Sequence, residues 1–310
     1  STHCISSAAS DVYKRQCFCE SPGWEYMGCV DAKSKFLGRT FEIRPTGVAH
    51  AKLKIKPEWA PESKRSTLPH AAENESLLME HYSWNKVTTS VSGFITGSPT
   101  IDHYGDMTVV NHVTGDVCKL TFKPRGWRST NAFEIRGEVL DAHGNKVWLI
   151  TGRWNSQLIA KRSSGGDSSD LNPDEKDVCT NPTDSSVSES KYLLLWRNSP
   201  KVPMPFNLTP FAVTLNSRPE GLMEWLPPTD CRRRPDLTAF ENGKFDQADQ
   251  LKVQLEELQR SKRRMREEGK LPPHKPRWFS KTTDPDTKEA FWKPHMSCLL
   301  YTSPSPRDRG

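Results

Sequence analysis

The feature that most constrains this chain is the change in its hydrophobic period. From Trp24 to Arg162, short β-rich runs recur between turn residues at intervals of roughly 8 to 12, the spacing of an all-β barrel or sandwich. The runs are Trp24 to Val30, Arg39 to Ile43, Val48 to Ile55, Met107 to Asn111, Asp116 to Lys123, Ala132 to Leu140 and Lys146 to Trp154. Thr114-Gly115-Asp116 and His143-Gly144-Asn145 put glycine where tight hairpins need a positive φ. Apolar and polar residues alternate from Phe133 to Val139, so one face of the sheet looks inward and the other meets water. The reading is an antiparallel sheet with a filled or ligand-holding interior.

After Pro227-Pro228 the period becomes helical. Ala248, Leu251, Leu255 and Leu258 form an apolar stripe, Asp246 can cap it with Asp249 three residues on, and Gly269 with Pro272-Pro273 ends it. One helix is expected over 247–268. The stripe lasts under three heptads before Arg263-Arg264, so packing on the sheet is expected in preference to a coiled coil. Between the two regimes, Arg162 to Ser190 holds eight Ser, seven acids and two bases with almost nothing apolar, the composition of a disordered loop. Strands are expected to resume at Tyr192 to Arg197 and Phe211 to Leu215. Pro57 to Glu80 reads as a second, smaller loop.

Several function classes drop out. No window approaches the ~18 apolar residues of a membrane span. Ten Trp and twelve Phe in 310 residues argue against a disordered chain. Nucleotide loops of the Walker or G-x-G-x-x-G type and the G-x-S-x-G elbow are absent, so an enzyme reading has no anchor. No nucleic-acid motif is present. His103 and His112 with Asp102, Asp106 and Asp116 could be taken for a metal set, but such residues in hairpins are more often exposed turn and strand groups. Cysteines without C-x-x-C pairing suit reduced thiols and a cytosolic compartment. The ends, 1–16 and 297–310, share no pattern with their neighbours and read as non-native read-through.

The chain carries 44 Lys+Arg against 38 Asp+Glu, and the surplus is local. Residues 232–277 hold 13 basic and 8 acidic side chains. Within the helix, Lys252, Glu256 and Arg260 fall at i, i+4 and i+8 and share one line. Of two readings, an exposed ion-pair ladder worth under ~1 kcal/mol per pair and a Glu orienting two cations toward a phosphate, spacing alone favours the ladder.

A set of blocks then carries a resemblance. Trp24-Glu25-Tyr26-Met27-Gly28, Lys35-Phe36-Leu37-Gly38, Ile101-Asp102-His103-Tyr104-Gly105-Asp106, Asn111-His112-Val113-Thr114-Gly115-Asp116, Phe122-Lys123-Pro124-Arg125-Gly126-Trp127 and Gly152-Arg153-Trp154 come first. Leu194-Leu195-Trp196-Arg197, the run from Thr229 to Asp236, Glu241-Asn242-Gly243 and Lys275-Pro276-Arg277-Trp278-Phe279 follow. In this order they resemble the lipid-binding domain of the oxysterol-binding-protein-related family, and Pro205 to Thr209 is similar to fungal long-form members. The resemblance implies a mainly β fold: an incomplete antiparallel β-barrel enclosing a lipid tunnel, then a C-terminal helical segment. The barrel would occupy 17–230 and the helical part 231–296. It implies a non-enzymatic exchanger of sterol and phosphatidylinositol 4-phosphate between cytosolic membrane faces, with peripheral contact to anionic membranes and no cofactor. A scaffold or lipid sensor at membrane contact sites is the rival. The family's headgroup helix carries Lys, Glu and Arg at these spacings, which implies that Lys252, Glu256 and Arg260 bind the phosphoinositide headgroup.

The family's paired-His motif ending in two prolines belongs just before Cys17, inside the segment read as foreign. Those histidines, the lid and the first strands are therefore expected to be missing. Gly97-Ser98-Pro99-Thr100 stands where the family usually has a Gly-Lys-aromatic strand, and Pro99 is expected at an edge or bulge.

Overall fold

A computed structural model describes residues 3–8, 14–56, 78–95, 97–126, 129, 131–163, 171–180, 192–200, 203, 209–214, 217–225, 230–273, 275–276 and 279–295. Two compact units are distinguished, one of residues 1–3 and 19–199, the other of 4–18 and 200–310. The ends of the chain are not treated alike: His3–Ala8 (β1) and Lys14–Ser21 (β2) are strands, whereas 296–310 lie outside the described residues. The reading that set 1–16 aside from the fold thus met two strands there.

The first unit is a meander. Its strands are β3 (Trp24–Phe36), β4 (Thr40–Thr46), β5 (Val48–Ile55), β6 (Leu78–Asn85), β7 (Thr88–Ser92), β8 (Thr100–Asn111), β9 (Val117–Phe122), β10 (Glu134–Leu140), β11 (Lys146–Arg153), β12 (Gln157–Arg162), β13 (Val178–Cys179) and β14 (Tyr192–Arg197). Registers show that β4 and β5 act as one strand. Trp24 faces Leu53 and Phe36 faces Phe41, so both halves pair with β3 in a single hairpin. Likewise β6 and β7 together fill the space between that strand and β8. The register slips by one residue along it: Val48 faces Asn85, yet Ile43 faces Thr89. Gly47 sits at the slip with φ +106, and a Cβ there would lie 2.4 Å from the carbonyl oxygen of Cys29. Only glycine fits this kink. From β8 to β12 each strand pairs antiparallel with the next, then β12 with β14, and β13 adds in parallel. The large sheet is not closed.

Period 2 carries through this register. One row of facing residues runs Gly28, Ala49, Trp84, Val109, Cys118, Val139 and Trp148 across β3, β5, β6, β8, β9, β10 and β11. A second runs Met107, Leu120, Gly137, Ile150, Ala160 and Leu193. Neither contains a charge. The adjacent rows on the other face, Asp106-Thr121-Arg136-Thr151 and Thr108-Lys119-Glu138-Leu149, are polar or charged at most positions. The sheet therefore has an apolar and a polar face, as expected of an antiparallel sheet with one face turned from water.

The acidic segment is not a free loop throughout. Residues 164–170 and 181–191 lie outside the described ones, but 171–180 sit on the sheet. Leu171 is buried, Arg153 holds Asp174 through two 2.8 Å bonds, and the Gln157 amide donates to the Glu175 carbonyl at 2.6 Å. A bidentate pair outweighs the disorder-prone composition here. The second loop reading also needs trimming, since Leu78 to Glu80 open β6, while 57–77 lie outside the described residues.

In the second unit, α1 (Pro210–Thr214), α2 (Leu222–Trp225), a 3-10 turn (Cys231–Arg233), α3 (Pro235–Glu241) and α4 (Phe245–Glu267) precede a hairpin of β15 (Phe279–Thr283) and β16 (Ala290–Pro294). The strand expected at Phe211 to Leu215 is helical from Phe211 to Thr214 instead, and Leu215 lies outside the described residues. Thr209 Oγ1 accepts the Ala212 N–H at 3.2 Å and Pro210 occupies the first helical position, a start signal that outweighs five apolar-rich residues. Helix α4 starts two residues early, so Asp246 falls in its first turn and is not the cap; Lys244 holds that position without a side-chain bond. The end follows the sequence. Gly269 takes φ +72, its N–H donates to Arg266 O at 3.0 Å and Lys270 N–H to Met265 O at 2.8 Å, a Schellman stop. Within its unit α4 packs on α3, with Ala248 buried and Leu258 at 52% exposure.

Candidate lipid and headgroup surfaces

The predicted stripe lies on the middle turns of α4. Arg260 Nη2 donates to Glu256 Oε2 at 3.0 Å, and both side chains are substantially exposed. Lys252 is exposed and, among the described residues, makes no ion pair. Glu256 thus orients Arg260 alone, where the spacing suggested that it could hold both cations. One turn on, Arg263 Nε donates to Glu267 Oε1 at 2.9 Å. Exposed pairs of this kind add little to stability. What they offer is a rank of guanidinium and ammonium donors suited to phosphate oxygens.

The apolar face of the sheet is the second surface. Exposed large side chains gather on it: Phe36 at 59%, Ile101 at 54%, Trp196 at 41%, Leu53 at 38% and Phe41 at 37%. Phe36, Phe41, Val91 and Ile101 form one row, and Trp196 faces Leu158 in another. Tyr26 and Trp84 lie on this face with ring centroids 6.1 Å apart. At one margin the Arg162 guanidinium stacks 5.1 Å over Trp148. His103 is a polar member of this face. Its Nδ1 meets Thr89 Oγ1 at 3.0 Å, its ring packs edge-on to Trp154, and burial lowers its pKa, favouring neutral imidazole.

A cavity of about 650 Å³ lies elsewhere in this unit. Asp106, Lys119, Thr121, Arg136 and Glu138 line it from the polar face, with Met107, Leu120, Leu149, Ile150 and Leu171 contributing apolar lining. Its mixed charges do not suit a sterol body.

The five residues that could be taken for a metal set do not converge. Asp102 holds Arg125 through two bonds, Asp106 accepts from Thr121, Asp116 from Thr114, His103 meets Thr89, and His112 meets Ser83 Oγ at 2.7 Å. The sequence reading missed a different imidazole pair. His50 and His81, 2% and 3% exposed, touch through Nδ1 and Nε2 at 3.0 Å on the polar face, with the His112 ring 4.8 Å from that of His81. Alternation in Val48 to Ile55 fixed the face of His50; nothing local pointed to the partner across the register. Among the described residues no helix is long and apolar enough to cross a membrane.

An open antiparallel meander with one largely apolar face, in a chain whose second unit carries a helix with aligned cations, defines a class of lipid-handling β domain. The family model described as oxysterol-binding protein matches residues 14–299, and the chain belongs to that family. It is 40% identical over 274 residues to Oxysterol-binding protein homolog 2 of Saccharomyces cerevisiae, covering 88% of this chain and 20% of that protein. The chain therefore spans about a fifth of that curated relative. The structure of the Osh1 ORD domain in complex with ergosterol matches with a TM-score of 0.73 at 32% identity, over 98% of this chain and 68% of that one. The Osh3 ORD of Saccharomyces cerevisiae, solved in complex with PI(4)P, shares the fold at a TM-score of 0.63 and 22% identity, over 95% and 65% of the two chains.

Proposed function

We infer that this chain is a lipid-binding and lipid-transfer domain that takes up sterol on the apolar face of its sheet and a phosphoinositide, phosphatidylinositol 4-phosphate, through Lys252, Glu256 and Arg260. It exchanges the two between cytosolic membrane faces without bond-making chemistry. The carrying observation is the uncharged row from Gly28 to Trp148 across seven strands, flanked by exposed Ile101 and Phe41. A rigid polycyclic hydrocarbon gains about 25 cal/mol per Å² of apolar surface removed from water. The solved Osh1 relative, which binds ergosterol, supports the sterol half. The headgroup half rests on the exposed stripe of α4, whose Arg260 is held in place by Glu256.

The test is extraction from liposomes carrying fluorescent sterol or phosphatidylinositol 4-phosphate. The double substitution Lys252→Ala with Arg260→Ala is expected to lower phosphoinositide extraction at least about tenfold, the loss of two charge-assisted contacts, while sterol extraction stays unchanged. Equal phosphoinositide extraction by the variant removes the headgroup assignment. A parent chain that extracts neither lipid would instead support a scaffold.

A further inference from the structure

Two turns stand side by side at one end of the first unit's sheet. The β3–β4 turn carries Phe36 and Leu37, and the β7–β8 turn carries Phe94 and Ile95. Their exposures are 59, 45, 40 and 68%. The ladder fixes their neighbourhood, because β4 pairs with both β3 and β7: Phe36 faces Phe41, and Phe41 faces Val91. The Phe36 and Phe94 rings accordingly meet at 6.1 Å. Each turn is closed by its own backbone. Leu37 N–H donates to Thr40 O at 2.8 Å, and Ser98 N–H donates to Gly93 O at 3.1 Å. Ordered turns therefore hold four large apolar side chains out in water, which surface composition alone does not require.

The charge carried within the two turn segments has one sign. Residues 33–39 contain Lys33, Lys35 and Arg39 and no acid, and residues 92–100 contain no charge. All three cations are exposed. Glu42 faces Lys35 across the ladder but is hydrogen-bonded by Arg44 and Tyr104, and Asp102 is held by Arg125. Protruding apolar tips flanked by flexible cations match a partner that is anionic at its surface and apolar a few ångströms below. An anionic bilayer is that partner. A second copy of the chain meeting it tip to tip would bring the same cations and be repelled.

We propose that the paired tips form a membrane-docking rim, in which Phe36, Leu37, Phe94 and Ile95 enter the headgroup-acyl boundary of an anionic bilayer and Lys33, Lys35 and Arg39 meet lipid phosphates. The inference rests on the reading above only in that a lipid carrier must meet a bilayer to collect its cargo.

Flotation with phosphatidylcholine vesicles, with and without phosphatidylserine and free of sterol and phosphoinositide, isolates docking from cargo binding. The chain is expected to partition to the phosphatidylserine vesicles. Leu37→Ser with Ile95→Ser should weaken partitioning at least about tenfold, since both variants lose apolar area that would leave water on docking. Lys33→Glu with Lys35→Glu should remove the preference for phosphatidylserine. Ile95→Trp should add fluorescence quenching by brominated acyl chains beyond that of the parent. Undiminished partitioning of the serine variant, or no added quenching in the tryptophan variant while it still floats, overturns the proposal. Lipid extraction is scored separately: a chain whose tips insert but which extracts no lipid retains the rim and loses the transfer function.

Discussion

Glu134 shows how a charge is kept in this sheet. It is 4% exposed, yet it accepts from Lys123 Nζ at 2.8 Å and from Arg136 Nε at 2.6 Å. Burial raises its pKa, the two cations lower it by more, and the balance leaves the carboxyl below its ordinary value. A folded pKa under the unfolded one means stability that is present above the ordinary carboxylate range and lost as pH falls through the folded value. Glu134→Gln is expected to cost about 2–3 kcal/mol at neutral pH, since it strands two half-buried cations. The gap should narrow only below about pH 4; urea denaturation at neutral and acid pH checks both. Cys118 gives the converse case. Burial alone pushes its thiol up to about 11, so its maleimide labelling at neutral pH should lag an unperturbed thiol by roughly a hundredfold. Mass mapping of the labelled cysteines tests this.

At the scale of elements, the apolar face depends on glycine where strands come closest. Gly152 in β11 faces Leu158 of β12 with φ +147, and a Cβ there would lie 2.2 Å from the Gln157 carbonyl oxygen. Gly152→Ala must shift backbone in the ladder and should destabilise by about 1–3 kcal/mol, read as a lowered urea midpoint with unchanged slope. Such strands were legible from the sequence because alternation and turn glycines speak for themselves: Val48–Ile55 and Tyr192–Arg197 match the expected bounds, and Gly269 stops α4 as its position implied. What was illegible depended on distant partners. Phe211 to Leu215 is too short for periodicity to separate strand from helix, and the Thr209-Pro210 start decides it. Asp174 reads as part of an acidic loop until Arg153, 21 residues back, is found holding it. The candidate stripe was half legible. Spacing aligned Lys252, Glu256 and Arg260, but only side-chain geometry shows that Glu256 pairs with Arg260 and, among the described residues, not with Lys252.

For the molecule as a whole, the apolar face governs solution behaviour. Ile101, Trp196, Leu53 and Phe41 are 37–54% exposed on it, and a contiguous apolar surface beyond a few hundred Å² drives association unless something covers it. The sterol proposed as its ligand would cover it. Without lipid the chain should sediment as concentration-dependent oligomers in the micromolar range, and with stoichiometric sterol it should shift toward monomer. The same binding must stabilise the fold by mass action, by about 2.7 kcal/mol at a free ligand concentration of a hundred times Kd. For a domain of this size that corresponds to a rise in Tm of about 5–10 °C. The two readouts are coupled by one cause, so they should saturate at the same sterol ratio. Monodisperse chain in the absence of lipid, together with a Tm indifferent to sterol, would remove the apolar face as the ligand surface. Oligomers that persist while Tm rises would instead place sterol at another surface and leave this face to self-association.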